Sequence, residues 1–116
     1  MSNFRQSQKS AVSGVTPGEL KDLLHQQQPP LLIDVRDPWE YEQAHIEGAL
    51  LLPLDELYAK APDLPHEREL IVYCHHGTRS AAAAQLLMKY NYANVKNLLD
   101  GIHRWALEID PTMPRY

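Results

Sequence analysis

A single cysteine stands among the side chains of this sequence that are best able to do chemistry. Cys74 opens the segment "CHHGTRS", after the apolar run "LIVY" and before a run of alanines. A thiol reacts as its thiolate, and the free side chain has a pKa of about 8.5, so a reactive cysteine needs donors that stabilise the anion. Gly77 permits a tight turn, and the first N–H groups of a helix have no partner within that helix. The segment therefore predicts a nucleophilic Cys74 held in a ring of backbone donors.

The other side chains of the segment allow more than one role. His75 and His76 could transfer protons near neutral pH, or contribute only their backbone N–H groups to the loop. Arg79 could bind an anionic substrate, or pair with a carboxylate and brace the loop. A lone cysteine at a strand end is otherwise most often a small buried hydrophobe, which the polar loop and helix start disfavour here. The predicted binding residues are His75, His76, Gly77, Thr78, Arg79 and Ser80.

The same segment is a poor metal site when it is considered alone. Adjacent side chains such as those of Cys74, His75 and His76 do not easily converge on one ion, whereas structural zinc sites space their ligands. We therefore predict that the site uses neither a metal nor a cofactor.

The hydrophobic pattern on either side of the segment predicts the elements that position Cys74. Capping signals at Thr16, Asp37 and Asp55 begin helices, and further helices are predicted over residues 79–90 and 102–109. Apolar runs at residues 31–35, 48–53, 69–74 and 94–99 are typical of strands. The alternation of strands and helices predicts an α/β domain with a parallel sheet. Ligands of such sheets bind beyond the carboxyl ends of the strands, where Cys74 lies.

Composition and charge restrict the class of protein. The chain has 116 residues, 44% of them hydrophobic and 22% charged, which suits a single globular domain. We predict a polar N-terminal segment over residues 1–14 and a domain over residues 15–116. The net charge of −4 argues against a nucleic-acid partner, and no apolar run is long enough to span a membrane. One cysteine excludes an internal disulfide and the N-terminus lacks a signal-peptide pattern, so we expect a cytoplasmic protein without a membrane partner.

The cysteine segment resembles the active-site loop of the rhodanese (thiosulfate sulfurtransferase) family. The similarity extends to "LLIDVRDPWEYEQAHIEGALLLPLDEL" and "NVKNLLDGIHRW", in the order and spacing of that family. The resemblance implies one rhodanese-like α/β domain, with a five-stranded parallel sheet flanked by helices on both faces. It also implies that Cys74 takes sulfur from thiosulfate or a persulfide-bearing protein and forms a persulfide. The sulfur would then pass to cyanide, a thiol or a sulfur-carrier protein.

Supporting roles outside the loop also come from the resemblance. Asp34 is expected to accept backbone hydrogen bonds, and Arg36 to pair with Glu40 or a nearby acid. His45 is expected to be a buried hydrogen-bonding residue rather than a catalytic one. Apart from one arginine the loop carries no fixed positive charge, which makes a protein persulfide comparable to thiosulfate as the donor. The tail "PTMPRY" could dock a partner or lie along the domain.

Loop length distinguishes sulfur transfer from phosphate chemistry. Cysteine phosphatases and arsenate reductases use a related loop that is one residue longer and holds the oxygens of a phosphoryl group. Here four residues separate Cys74 from Arg79, and Ser80 stands where those enzymes have arginine. The count favours a sulfurtransferase. A non-enzymatic sulfur-carrier or binding module is the remaining alternative.

Overall fold

The computed structural model describes residues 12–116. Within them, five short strands and five helices are joined by loops. The strands are β1 (Ser13–Val15), β2 (Leu31–Asp34), β3 (Leu50–Leu51), β4 (Leu70–Tyr73) and β5 (Val95–Leu98). The helices are α1 (Pro17–Leu24), α2 (Pro38–Gln43), α3 (Leu54–Lys60), α4 (Thr78–Lys89) and α5 (Gly101–Glu108). The longest, α4, has 12 residues, and no helix within residues 12–116 has the length and apolar character needed to cross a membrane.

The sheet is built around β4, a continuous apolar strand whose four side chains are all 0% exposed. The strand order is β1-β5-β4-β2-β3, and every pair is parallel. A parallel strand buried on both faces needs helices on both sides of the sheet. The order and direction of the strands confirm the predicted five-stranded parallel sheet.

Two apolar clusters cover the two faces of the sheet, because successive side chains of a strand point in opposite directions. Leu70 and Val72 of β4 pack in the cluster that α3 and α4 complete. Ile71 and Tyr73 pack in the cluster that α1 and α5 complete. The predicted placement of helices on both faces is therefore confirmed.

β1 is the strand that the hydrophobic pattern did not identify. Ser13 pairs with Lys96 and Val15 with Leu98, which places β1 at an edge of the sheet beside β5. Only Val15 of this strand is buried, so there is no apolar run to mark it. The strand begins before the domain boundary predicted at residue 15, and residues 1–11 of the predicted polar segment lie outside the described residues.

The carboxyl ends of β2 and β4 bring two loops together at one edge of the sheet. Asp34 is the register partner of Tyr73, and the N–H of Val35 donates to the carbonyl of Tyr73 at 3.1 Å. Arg36 and Cys74 follow directly, and α2 and α4 begin shortly after them. This edge holds most of the residues singled out from the sequence.

Candidate active site

The Cys74 thiol is buried at the start of α4, with 1% of the residue exposed. Its Sγ lies 3.1 Å from the backbone nitrogen of Gly77 and 3.3 Å from that of Ser80, and both N–H groups donate to the sulfur. Gly77 has φ of 106°, a left-handed conformation that L side chains rarely adopt, and this turn points its N–H at the sulfur. The loop therefore directs two backbone donors at Cys74 Sγ, an arrangement suited to a sulfur anion.

A serine hydroxyl completes the surroundings of the sulfur, and an asparagine orients it. Ser80 Oγ lies 3.3 Å from Cys74 Sγ and donates to Asn97 Oδ1 at 2.5 Å. Asn97 Nδ2 in turn donates to the carbonyl of Gly77 at 3.2 Å. The hydroxyl has one proton, so it can donate to Asn97 while accepting from a neutral thiol, or turn toward a thiolate. Asn97 was not singled out from the sequence, although a polar residue within the predicted strand "NVKNLL" was a usable signal.

Arg79 pairs with a carboxylate and does not carry an uncompensated charge. Its two terminal nitrogens donate to Glu40 Oε1 and Oε2 at 2.7 and 2.9 Å, a bidentate arrangement. The Arg79 side chain is 38% exposed, while that of Glu40 is 5% exposed. Hydrogen bonding from Arg79 is the main reason that the pKa of Glu40 falls to about 2. Of the two roles considered for Arg79, the bracing role has the observed partner.

Asp34 and Arg36 form a second ion pair, which is fully buried. Arg36 Nε and Nη2 donate to the two Asp34 oxygens at 2.9 and 2.7 Å, and the Arg36 backbone N–H donates to Oδ1 at 3.0 Å. Burial opposes the charge of Arg36, but its bonds to Asp34 still raise the pKa of the guanidinium. Arg36 was expected to pair with Glu40 or with a nearby acid. Its partner is a nearby acid, Asp34, and not Glu40. Arg36 Nη2 also donates to the carbonyl of Ala44, which fixes the loop after α2.

His45 is not the buried residue that the sequence analysis expected. It is exposed, and its Nδ1 donates to the carbonyl of Tyr41 at 2.9 Å, while its ring stacks on that of Tyr41. The hydrogen bond was expected, but the burial was wrong, because the side chain turns back over the end of α2. His45 lines a groove with Trp105 and Met113, on a different part of the surface from the cysteine loop.

Three histidines and a tyrosine lie along the outer side of the cysteine loop. The His75 ring stacks between those of His76 and Tyr116, with centroid distances of 4.1 Å to each. Burial, and then the neighbouring His76, lower the pKa of His75, which favours a neutral imidazole at pH 7. His103 lies 5.0 Å from His76 between ring centroids. Neither His103 nor Tyr116 was singled out from the sequence, because nothing in the spacing relates either residue to the loop.

Two backbone hydrogen bonds attach α5 to the cysteine loop. The N–H of Ile102 donates to the carbonyl of Cys74 at 2.9 Å, and that of His103 donates to the carbonyl of His75 at 3.1 Å. The first turn of α5 therefore fixes the position of the loop. Thr78, which was also among the predicted binding residues, is exposed at the first position of α4.

Comparison with known proteins identifies the domain. A family model described as "Rhodanese-like domain" matches residues 16–108. The chain belongs to the rhodanese-like family. It is 37% identical over 112 residues to the probable adenylyltransferase/sulfurtransferase MoeZ of Mycobacterium tuberculosis, a match that covers 95% of this chain but only 29% of MoeZ.

Shorter relatives match this rhodanese-like domain over more of their own length. A protein of Allochromatium vinosum named sulfurtransferase is 40% identical over 76 residues, covering 66% of this chain and 71% of the relative. The structure of the human single-domain sulfurtransferase TSTD1 superimposes with a TM-score of 0.76 at 27% identity, covering 84% of this chain and 97% of that one. Both of these shorter relatives are named sulfurtransferases.

Proposed function

We propose that this rhodanese-like domain carries a sulfane sulfur as a persulfide on Cys74 and transfers it to a thiophilic acceptor. The observation that supports this most directly is the pair of loop N–H groups, of Gly77 and Ser80, that donate to Cys74 Sγ at 3.1 and 3.3 Å. Donors arranged in this way stabilise the Cys74 thiolate that attacks the donor and the same thiolate when it leaves in the second step. Relatives named sulfurtransferase give independent support.

The proposed reaction has two half-reactions with a covalent intermediate. The Cys74 thiolate attacks the outer sulfur of the donor and forms a new S–S bond. The old bond to that sulfur breaks, and its electron pair leaves on sulfite from thiosulfate, or on a thiolate from a persulfide donor. An acceptor (cyanide, a thiol or a sulfur-carrier protein) then attacks the outer sulfur of the Cys74 persulfide and regenerates the thiolate.

We further propose that this takes place in the cytoplasm, since one thiol cannot form an internal disulfide.

The charges around the loop favour a persulfide donor over free thiosulfate. Arg79 is bound to Glu40, and Arg36 is bound to Asp34. Each guanidinium charge is therefore compensated within the protein, and a divalent anion gains little from it. A persulfide carries a smaller charge, and a protein donor adds contacts of its own.

Intact mass spectrometry tests the persulfide. The protein is incubated with thiosulfate or with glutathione persulfide, and the wild type is expected to gain one sulfur atom that cyanide then removes. Cys74→Ser is expected to gain none. A wild type that stays unmodified with both donors would contradict sulfur transfer and leave a binding module. Hydrolysis of an aryl phosphate that is lost in Cys74→Ser would instead indicate phosphatase chemistry.

Loading rates test the choice of donor. We expect glutathione persulfide to load Cys74 at least about tenfold faster than thiosulfate at equal concentration, a difference of about 1.4 kcal/mol in activation free energy. Glu40→Gln releases the charge of Arg79 and should speed loading by thiosulfate more than loading by the persulfide. Equal rates for the two donors, with no selective effect of Glu40→Gln, would show that these ion pairs do not set donor preference.

A further inference from the structure

We infer that His75, His76 and His103 form a binding site for a divalent late transition-metal ion of the Zn²⁺ class. Each ring offers one nitrogen, and these three nitrogens all lie within 4.8 Å of one another. Imidazole nitrogen is a preferred ligand of Zn²⁺, Cu²⁺ and Ni²⁺. The site is separate from the proposed persulfide chemistry, because it does not use the Cys74 sulfur.

The backbone already holds the three residues in the positions that such a site requires. His103 donates its N–H to the carbonyl of His75, and Ile102 donates to that of Cys74, so α5 and the loop move as one unit. Tetrahedral zinc with Zn–N distances of about 2.0–2.1 Å needs ligand nitrogens about 3.3 Å apart. The nitrogens must therefore approach one another by at most about 1.5 Å, a movement that we assign to side-chain rotation.

The three rings also differ from the other histidines of the chain in their hydrogen bonds. His25, His45 and His66 each direct a ring nitrogen to a backbone carbonyl, at 2.7, 2.9 and 3.2 Å. Among the hydrogen bonds formed within residues 12–116, none involves a ring nitrogen of the other three histidines, which instead lie against one another. The three histidines whose ring nitrogens make no hydrogen bond within residues 12–116 are thus the three that lie close together.

The third ligand changes the conclusion drawn from the sequence. Cys74, His75 and His76 alone make a poor metal site if the side chains of adjacent residues diverge. In the structure one ring nitrogen each of His75 and His76 lies within 4.8 Å of the other, the sulfur turns inward to Gly77 and Ser80, and α5 supplies the third nitrogen from His103. Three imidazoles then leave a coordination position open to solvent, as in zinc sites with three protein ligands and a water.

Titration calorimetry with Zn²⁺ on the untagged full chain tests the site. We expect one ion per chain, and the same binding in Cys74→Ser. His76→Asn and His103→Asn should each weaken binding by at least about tenfold. Neither side chain is buried, so these variants should fold. The matched control is His25→Asn, an exposed histidine of which one ring nitrogen is bound to Lys21, and it should bind Zn²⁺ as the wild type does.

Side-chain nitrogen NMR assigns the ligands independently. Addition of Zn²⁺ should shift ring nitrogens of His75, His76 and His103 together and leave those of His25, His45 and His66 in place. Loss of Zn²⁺ binding in Cys74→Ser would place the ion on the thiolate and overturn the proposal. Unchanged affinity in His76→Asn and His103→Asn, or wild-type binding no tighter than millimolar, would overturn it as well.

Discussion

At the scale of single residues, the polar groups around Cys74 are paired with one another. The sulfur accepts from Gly77 and Ser80, and the nearby guanidinium of Arg79 is bound to Glu40. The backbone groups that donate to the sulfur are therefore neutral, and the charge of Arg79 is compensated by Glu40. Such a site favours chemistry at the sulfur itself over capture of a highly charged substrate.

Ser80→Ala should slow sulfur loading of Cys74, because the hydroxyl 3.3 Å from the sulfur can no longer donate to the thiolate. One hydrogen bond to a charged group is worth about 1.5 kcal/mol or more, so we expect a loss of about tenfold in the loading rate. Stopped-flow or quenched mass measurements give this rate. Ser13→Ala makes the same chemical change at an exposed site in β1 and should leave it unaltered. A Ser80→Ala rate within twofold of wild type would remove the hydroxyl from the mechanism.

Glu40→Gln should reduce stability at neutral pH and lose its effect in acid. The pKa of Glu40 is about 2 in the folded protein against an ordinary 4.5, so the folded state binds this proton more weakly than the unfolded state. The stabilisation is complete above about pH 4.5 and is lost as the pH falls toward about 2. Arg79 is partly exposed and solvent screens the pair, so we expect a difference of about 1–2 kcal/mol in the free energy of unfolding at neutral pH.

Urea unfolding of both proteins, from neutral pH down to about pH 3, measures this difference. The two stabilities should converge as the pH falls. Glu42→Gln, an exposed position in the same helix, serves as the control and should show a much smaller pH-dependent difference. A Glu40→Gln deficit that stays constant with pH would rule out the ion pair as its cause.

At the scale of elements, five elements converge on the site. Arg36 and Cys74 follow β2 and β4, and the first turns of α2 and α4 contain Glu40 and Ser80. The first turn of α5 donates hydrogen bonds to the carbonyls of the cysteine loop. The loop is therefore held from both sides of the sheet.

Gly101→Ala should disturb the cysteine loop more than a comparable glycine substitution elsewhere. Gly101 has φ of 63°, and a Cβ there would lie 2.4 Å from the carbonyl oxygens of both Cys74 and His75. Gly48 also has positive φ, 88°, but its Cβ would meet nothing within 4 Å. We expect Gly48→Ala to cost about 1–2 kcal/mol from backbone strain alone, and Gly101→Ala to cost about 1–3 kcal/mol more from the clash.

Thermal or urea unfolding measures both costs, and sulfur loading shows whether the loop has moved. Gly101→Ala should lose loading as well as stability, whereas Gly48→Ala should keep normal loading. If the two variants were equally stable, the contact between α5 and the loop would be looser than the structure indicates.

The sequence predicted the elements well wherever local chemistry determines them. Thr16 begins a helix as predicted, and it does so through a capping box with Glu19, with hydrogen bonds of 2.8 and 3.1 Å. β1 was missed because an edge strand with one buried residue has no hydrophobic run. Its place depends on the hydrogen bonds to β5, which are a property of the assembled sheet.

The candidate site was predictable only in its local part. Cys74 and the loop up to Ser80 are contiguous, so spacing alone drew attention to them. The partners Asn97, His103 and Tyr116 come from distant parts of the chain and meet the loop only through the strand order. The partner of Arg79 shows the same limit, since no spacing rule relates Arg79 to Glu40, 39 residues away.

At the scale of the whole molecule, the C-terminal tail returns to Arg36 and Glu40, which lie beside the cysteine loop. The tail lies along the domain, one of the two possibilities left open by its sequence. The Tyr116 hydroxyl accepts from Arg36 Nη1 and donates to Glu40 Oε2 at 2.9 Å. It therefore joins the buried Asp34–Arg36 pair to the Glu40–Arg79 pair, across 80 residues of sequence.

Tyr116→Phe tests this connection with the smallest change. Burial is the main reason that the pKa of Tyr116 rises to about 12, so the hydroxyl keeps its proton and can donate to Glu40 at neutral pH. Removing it leaves a buried guanidinium N–H of Arg36 without this acceptor, which should cost about 1–3 kcal/mol of unfolding free energy. Tyr58→Phe, at an exposed position in α3, should cost much less.

A double-mutant cycle with Glu40→Gln separates the hydroxyl bridge from general loss of packing. Residues that share one hydrogen-bond network typically show a coupling free energy of about 0.5–3 kcal/mol, whereas distant residues add nearly independently. We expect coupling in this range between Tyr116→Phe and Glu40→Gln, and none between Tyr116→Phe and the exposed Glu42→Gln. Additive effects in the first pair would mean that the tail rests on the domain without connecting its two ion pairs. Coupling confined to that pair would make the tail part of the framework that holds Arg79 on Glu40.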